Sequence, residues 1–124
     1  MTYDRRVRRS NHTHEALGFQ MEACREDASL EAMLISDDDG LCMAASGPSR
    51  TCEEVAAALP LLGRKAGDFA GVLLAEWGPA RVVMQRLLIE DSPMYVCAIG
   101  DDRDLCARQI ARSIGGVTRI LAAA

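Results

Sequence analysis

Residues 30–47 read LEAMLISDDDGLCMAASG. Met33, Leu34 and Ile35 form one apolar run and residues 41–45 a second, with Asp37, Asp38, Asp39 and Gly40 between them. Asp-Gly is a strong turn signal, because glycine tolerates positive φ and aspartate accepts hydrogen bonds from the backbone just ahead of it. The first run is too short for a helix, carries β-branched Ile35, and is bounded by turn residues. Ser46, Gly47, Pro48 and Ser49 stop the second run. The stretch therefore predicts a β-hairpin. A lone two-stranded hairpin is marginal in water, so its sheet partners must come from later in the chain.

Working outward, residues 13–26 predict a helix, with Leu17, Met21 and Cys24 recurring on one face and Thr13 or Asn11 as its cap. Residues 51–67 predict a second helix. Thr51 and Glu54 fit a capping box, and Arg64 and Lys65 lie near the negative end of the helix dipole. Val55, Leu59, Leu62 and Ala66 form its expected core stripe. Ala56, Pro60, Gly63 and Gly67 form a second stripe of small residues. Pro60 has no amide proton and is expected to kink or divide the helix. Glycine costs about 1 kcal/mol in a helix interior. Gly63 and Gly67 thus point either to another backbone passing close or to a frayed last turn ending at Gly67.

Three strands follow, at residues 69–77, 80–90 and 94–99, separated by Gly78-Pro79 and Asp91-Ser92-Pro93. The last is apolar on both faces, which places it centrally under cover on both sides. Asp104 is a plausible cap for a final helix, where Cys106, Ile110, Ile114, Val117 and Leu121 keep helical spacing and Gly115-Gly116 is a possible kink. The predicted order is α-β-β-α-β-β-β-α, an α+β fold.

At 124 residues the chain is expected to be one domain with one real core. Aromatics are only 4%, so that core must be built from Leu, Ile, Val, Met and Ala. The net charge of −4 is uneven: the first ten residues carry four arginines and one aspartate, +3, which leaves −7 for the rest. Residues 1–11, with Arg5, Arg6, Arg8 and Arg9, are expected to form a flexible basic arm before a domain at 12–124. The functional alternative for the arm is contact with an acidic partner, anionic lipid or nucleic acid. No aromatic is interleaved with these arginines, so base stacking has no support, and no nucleic-acid partner is expected. The first residues have no apolar core of a secretory signal, and no run approaches the ~18 apolar residues of a membrane span. A cytoplasmic location is expected.

Five cysteines, Cys24, Cys42, Cys52, Cys97 and Cys106, lie largely in apolar contexts without metal-ligand spacing, which predicts buried free thiols. His12 and His14 have no third ligand nearby. The Asp37–Gly40 turn is not a calcium loop, because Pro48 stands where the bidentate glutamate would have to be. Walker, dinucleotide, nucleophile-elbow and kinase motifs are absent, and neither histidine is tied by spacing to a cysteine. No catalytic residue, metal ligand or cofactor is assigned, and the chain is expected not to be an enzyme.

The order of elements, read with Leu34-Ile35-Ser36-Asp37-Asp38-Asp39-Gly40-Leu41 and the following Ala44-Ala45-Ser46-Gly47, resembles the Roadblock family of dynein light-chain-like domains. The likeness extends from Thr13 onward; Pro60 and the basic arm depart from the family pattern. It implies a five-stranded antiparallel sheet sandwiched by helices, a layout shared with profilin-like folds, used as a non-catalytic dimerisation platform. It also implies pairing through the second helix and third strand, and a bacterial role regulating a small Ras-like GTPase. The alternative is a scaffold subunit of a motor or signalling complex with no effect on nucleotide turnover. A small-molecule sensor is a weaker third reading.

The third strand supports self-pairing on its own terms. It is short and apolar with no charge before Glu76, an edge that native proteins usually protect. The expected homodimer interface is Ala56, Leu59, Gly63 and Gly67 on the helix and Val72, Leu73, Leu74 and Trp77 on the strand. The basic arm has little apolar content to offset the entropy of ordering. Deleting residues 1–10 is therefore expected to leave the melting temperature nearly unchanged, and a fall of many degrees would show the arm to be docked.

Overall fold

The computed structural model describes residues 2–76 and 78–123, with side chains from His12 onward. The hairpin is present: β1 (Ala32–Asp37) pairs antiparallel with β2 (Cys42–Ser46), Leu34 opposite Ala45. Asp37 builds the turn. Its Oδ1 accepts from the amides of Asp39 at 2.9 Å and Leu41 at 3.0 Å, and Gly40 takes the positive φ of +83°. A tighter turn joins β4 (Gly78–Ile89) to β5 (Ser92–Ile99), with Glu90 and Asp91 both at positive φ, as a right-twisted hairpin prefers.

With β3 (Phe69–Ala75), the sheet has the order β2-β1-β5-β4-β3, every neighbour antiparallel. β5 is central, and residues 95–99 are all buried. That agrees with its two-faced apolar sequence. Alternation then divides the interior in two. Leu34, Val82, Met84, Tyr95, Cys97 and Ile99 meet α2 (Ser49–Ala66) on one face. Met33, Ile35, Val96 and Ala98 meet α1 (Thr2–Asp27) and α3 (Arg103–Ala123) on the other. Each buried Leu, Ile, Val or Met side chain contributes about 1.5–3 kcal/mol, so this double layer accounts for a fold with few aromatics.

The helix ends differ from the sequence expectations. α1 begins at Thr2 rather than Thr13, so the backbone of the basic segment continues the helix. α2 begins two residues before Thr51, directly after Pro48 at φ −60°, and no side chain caps it. Proline suits this place because its φ is preset and its missing amide is one that a helix start leaves unpaired anyway. Thr51 is buried inside the helix and does not cap it. In α3 the cap is Asp102, whose Oδ1 accepts from the amides of Asp104 (3.0 Å) and Leu105 (3.1 Å). α3 runs unbroken through Gly115 and Gly116.

Pro60 neither divides α2 nor ends it. The missing amide at position 60 leaves the carbonyl of Ala56 without its intrahelical donor. Ser36 supplies the replacement. The register between β1 and β2 shifts beside Ser36, where β2 takes an extra residue, Met43, and the Ser36 Oγ donates to the Ala56 carbonyl at 3.0 Å in a buried contact. The proline and the serine are two halves of one device that ties the hairpin to the helix. Ser36→Ala is expected to cost about 1–3 kcal/mol by stranding a buried acceptor. In a Pro60→Ala background, which restores the amide, the same change should cost markedly less in urea denaturation. Equal costs in the two backgrounds would refute the coupling.

Candidate interaction surface

The sheet has two edges, and they are unlike. β2 is five residues long and is joined to α1 by a bond from Arg25 Nε to Ser46 Oγ at 2.6 Å. β3 is seven residues long and bonds to a neighbour only along β4. Phe69 and Leu73 on β3 turn inward beneath α2. Val72 and Leu74 turn to the opposite face and are 53% and 88% exposed. Alongside, α2 and the strand edge form a groove whose lining includes Ala57, Ala58, Leu73 and Leu74, with Glu54 and Glu76 at its rim. Arg50 bridges these two carboxylates, 3.6 Å from Glu54 and 3.4 Å from Glu76. Leu61, 59% exposed, lies on the outward side of the same helix.

The strand half of the expected interface is accordingly at the surface, apart from Leu73, which is partly buried, and Trp77, which lies outside the described residues. The helix half requires correction. Ala56 and Leu59 are 0% exposed and belong to the chain's own core. Gly63 is buried over Tyr95: a Cβ added to it would stand 2.0 Å from the ring's Cε1. Gly67 caps the helix at φ +74°, its amide bonded to the Gly63 carbonyl at 2.9 Å. The close approach that the small stripe signals is real, but the neighbour is a tyrosine of the same chain. Among the residues α2 leaves outward, between the charged Glu53 and Arg64, are the exposed Ala57 and Leu61 and the half-buried Ala58. The signal that finds the correct phase is Cys52, Val55, Ala56, Leu59, Pro60 and Gly63, all buried at spacings of three and four.

Tyr95 anchors one corner of this helix layer. Its hydroxyl donates to Asp38 Oδ1 at 2.9 Å, and Arg64 Nη2 donates to the Asp38 carbonyl at 3.0 Å. Burial first, and then the bond to Asp38, raise the phenol above its ordinary pKa. The hairpin turn, the end of α2 and the central strand are thereby joined through one aspartate. On the far face, Arg112 of α3 pairs with Asp27 at the end of α1.

The cysteines are free thiols, four of them buried and Cys42 half-buried. Burial pushes Cys52 up to about 11 and Cys97 further. They therefore stay protonated and weakly nucleophilic at neutral pH. Among the described residues no three His, Cys, Asp or Glu side chains gather as a metal site. Nor is any described helix long and apolar enough to cross a membrane.

No family model and no curated protein matches the sequence. Solved structures do match in shape. MglB of Myxococcus xanthus superposes with a TM-score of 0.67 at 13% identity, over 89% of this chain and 90% of that one. A Roadblock/LC7 domain from Streptomyces avermitilis gives 0.57 at 16% identity, over 85% and 97%. The fold is the Roadblock/LC7 type. The gliding protein MglB from Thermus thermophilus shares it, with a TM-score of 0.63 at 11% identity over 90% and 93% of the two chains. A further MglB structure of this fold, at TM-score 0.64 and 11% identity over 89% of this chain and 90% of that one, has a tetrameric arrangement. In this chain β3 ends the sheet, and Leu73 and Leu74 line the groove between it and α2.

In this fold position 63 admits no side chain while Tyr95 is in place. Gly63→Ala is expected to destabilise the chain by about 1–3 kcal/mol through overpacking. The cost should fall when Tyr95 is replaced by leucine, and should persist in Tyr95→Phe, which keeps the offending ring. Thermal melts of the four proteins check this.

Proposed function

We propose that the chain is a non-catalytic homodimer that regulates a small Ras-like GTPase. The observation that carries the reading is the open β3 edge in a Roadblock/LC7-type fold, with Val72 and Leu74 exposed on the strand and a groove between Leu74 and the α2 residues Ala57 and Ala58. Unpaired strand amides next to apolar side chains are a surface that a second copy can complete. Pairing β3 with its own copy makes a two-fold, self-complementary contact that closes at two subunits. The helix side of the proposed interface is Ala57, Ala58 and Leu61, in place of the buried Ala56, Leu59 and Gly63. The existence of an MglB structure with a tetrameric arrangement supports self-association in this fold.

The GTPase is drawn from the family resemblance read in the sequence and from the likeness to MglB in fold. Among the outcomes of the experiment is the scaffold reading, in which the dimer binds a GTPase without changing turnover. A cytoplasmic location goes with both.

Sedimentation of the wild type at tens of micromolar is expected to give a dimer. Leu74→Lys, which places a charge in the pairing strip twice per dimer, should weaken association by about tenfold or more, roughly 1.4 kcal/mol or above. A monomeric wild type sinks the dimer. Purified chain mixed with each small GTPase of its own cell should form a complex with at least one and change its rate of GTP hydrolysis. Binding without a rate change selects the scaffold, and no binding to any removes the GTPase reading.

A further inference from the structure

The sheet face opposite α2 is unevenly covered. α1 packs over β1 and β2, and α3 over β4 and β5, while the outer side of β3 carries no helix across it. A cleft of about 190 Å³ lies where this bare strip meets the start of α3. Its floor is apolar. Ala70 opposes Val83 across the β3–β4 ladder, and Val72 opposes Arg81. The exposed side chains of Val72 and Leu74 prolong the floor toward the sheet edge.

The walls are charged. Arg81 stands on one side and Arg103, the first residue of α3, on the other; both are exposed. Neither forms an ion pair among the described residues. Asp101 is the carboxylate on the rim. The next one, Asp102, is turned to the amides that it caps at the start of α3. The volume is below the ~300 Å³ at which small-molecule pockets begin. It suits one or two side chains of a peptide better than a metabolite.

We propose that this cleft docks an acidic amphipathic segment of a partner protein, an apolar side chain seated on Val72 and Val83 and carboxylates held by Arg81 and Arg103. Guanidinium groups recognise carboxylates with two parallel hydrogen bonds, which gives direction as well as attraction. In a β3-paired dimer the two clefts would flank one continuous strip made of Val72 and Leu74 from each copy. That extension rests on the dimer proposed above; the single cleft does not.

The probe is a short fluorescent helical peptide with a leucine stripe and glutamates elsewhere, and the control is its lysine twin. Anisotropy at low salt should show the glutamate peptide binding at least about tenfold more tightly than the lysine peptide, with the difference shrinking as salt rises. Arg81→Glu combined with Arg103→Glu should remove the preference. Arg119→Glu, at another exposed arginine of α3, should keep it. Circular dichroism and sedimentation of each variant establish that fold and oligomeric state match the wild type. Equal binding of the two peptides overturns the proposal, as does a double variant that binds like the wild type. A monomeric wild type that still prefers the glutamate peptide removes the dimer and upholds the cleft. A dimer without the preference removes the cleft and upholds the dimer.

Discussion

One buried carbonyl, that of Ala56, organises the helix layer over the sheet. Pro60 takes away its donor, and Ser36 of β1 gives it another. A buried acceptor without a partner costs about 1–3 kcal/mol, a large share of the stability of a small domain. The bond therefore fixes which strand residue must lie beneath which helix turn. Ser36 reaches that spot by ordinary alternation, on the same face of β1 as Ala32 and Leu34, with the register between β1 and β5 unbroken through it. Gly63 and Tyr95 set a second point of the docking, and Asp38 links that tyrosine to the hairpin turn. A serine, a glycine and an aspartate thus locate α2 more exactly than its aliphatic stripe could, because leucine and valine contacts tolerate sliding and these do not.

With α2 fixed in this phase, what remains outside follows from helical geometry. The residues toward the sheet are used up, and the apolar Ala57 and Leu61, with the half-buried Ala58, are left on the outer side among charged residues. The strand beside them has an equivalent constraint. Leu73 must turn toward α2, so Val72 and Leu74 must turn away, onto the part of the sheet that neither α1 nor α3 covers. The exposed apolar surface is a consequence of where the interior is completed, and function is proposed where the interior leaves off.

Much of the architecture was legible in the sequence because short-range chemistry dictates it. The Asp37 and Gly40 turn, the paired turn residues after β4 and the two-faced apolar run of β5 each permit one arrangement. Within the predicted span 69–77 the strand is Phe69–Ala75. The phase of α2 was not legible in this way. Val55 and Leu59 fit two stripes, and the choice between them depends on a tyrosine three strands later that fills the space above Gly63. Thr51 and Glu54 have the spacing of a capping box, yet Pro48 starts the helix earlier and carries Thr51 inside. In α3 the aspartate two residues before Asp104 captures the free amides first. In each case the deciding contact is distant in sequence or is won by a competing residue within one turn.

The two margins of the sheet differ in kind, and that difference bears on how large an assembly can become. Continuous growth by strand addition requires that both margins accept a neighbour. Here β2 is short, carries an extra residue that breaks its register against β1, and is held at its last serine by Arg25 reaching across from α1. β3 is long and regular. A sheet with one receptive margin can be extended once, by a copy of itself turned about, and then presents only unreceptive margins to the solvent. Such a chain carries its own stop signal against filament formation, written into the few residues that make β2 a poor template.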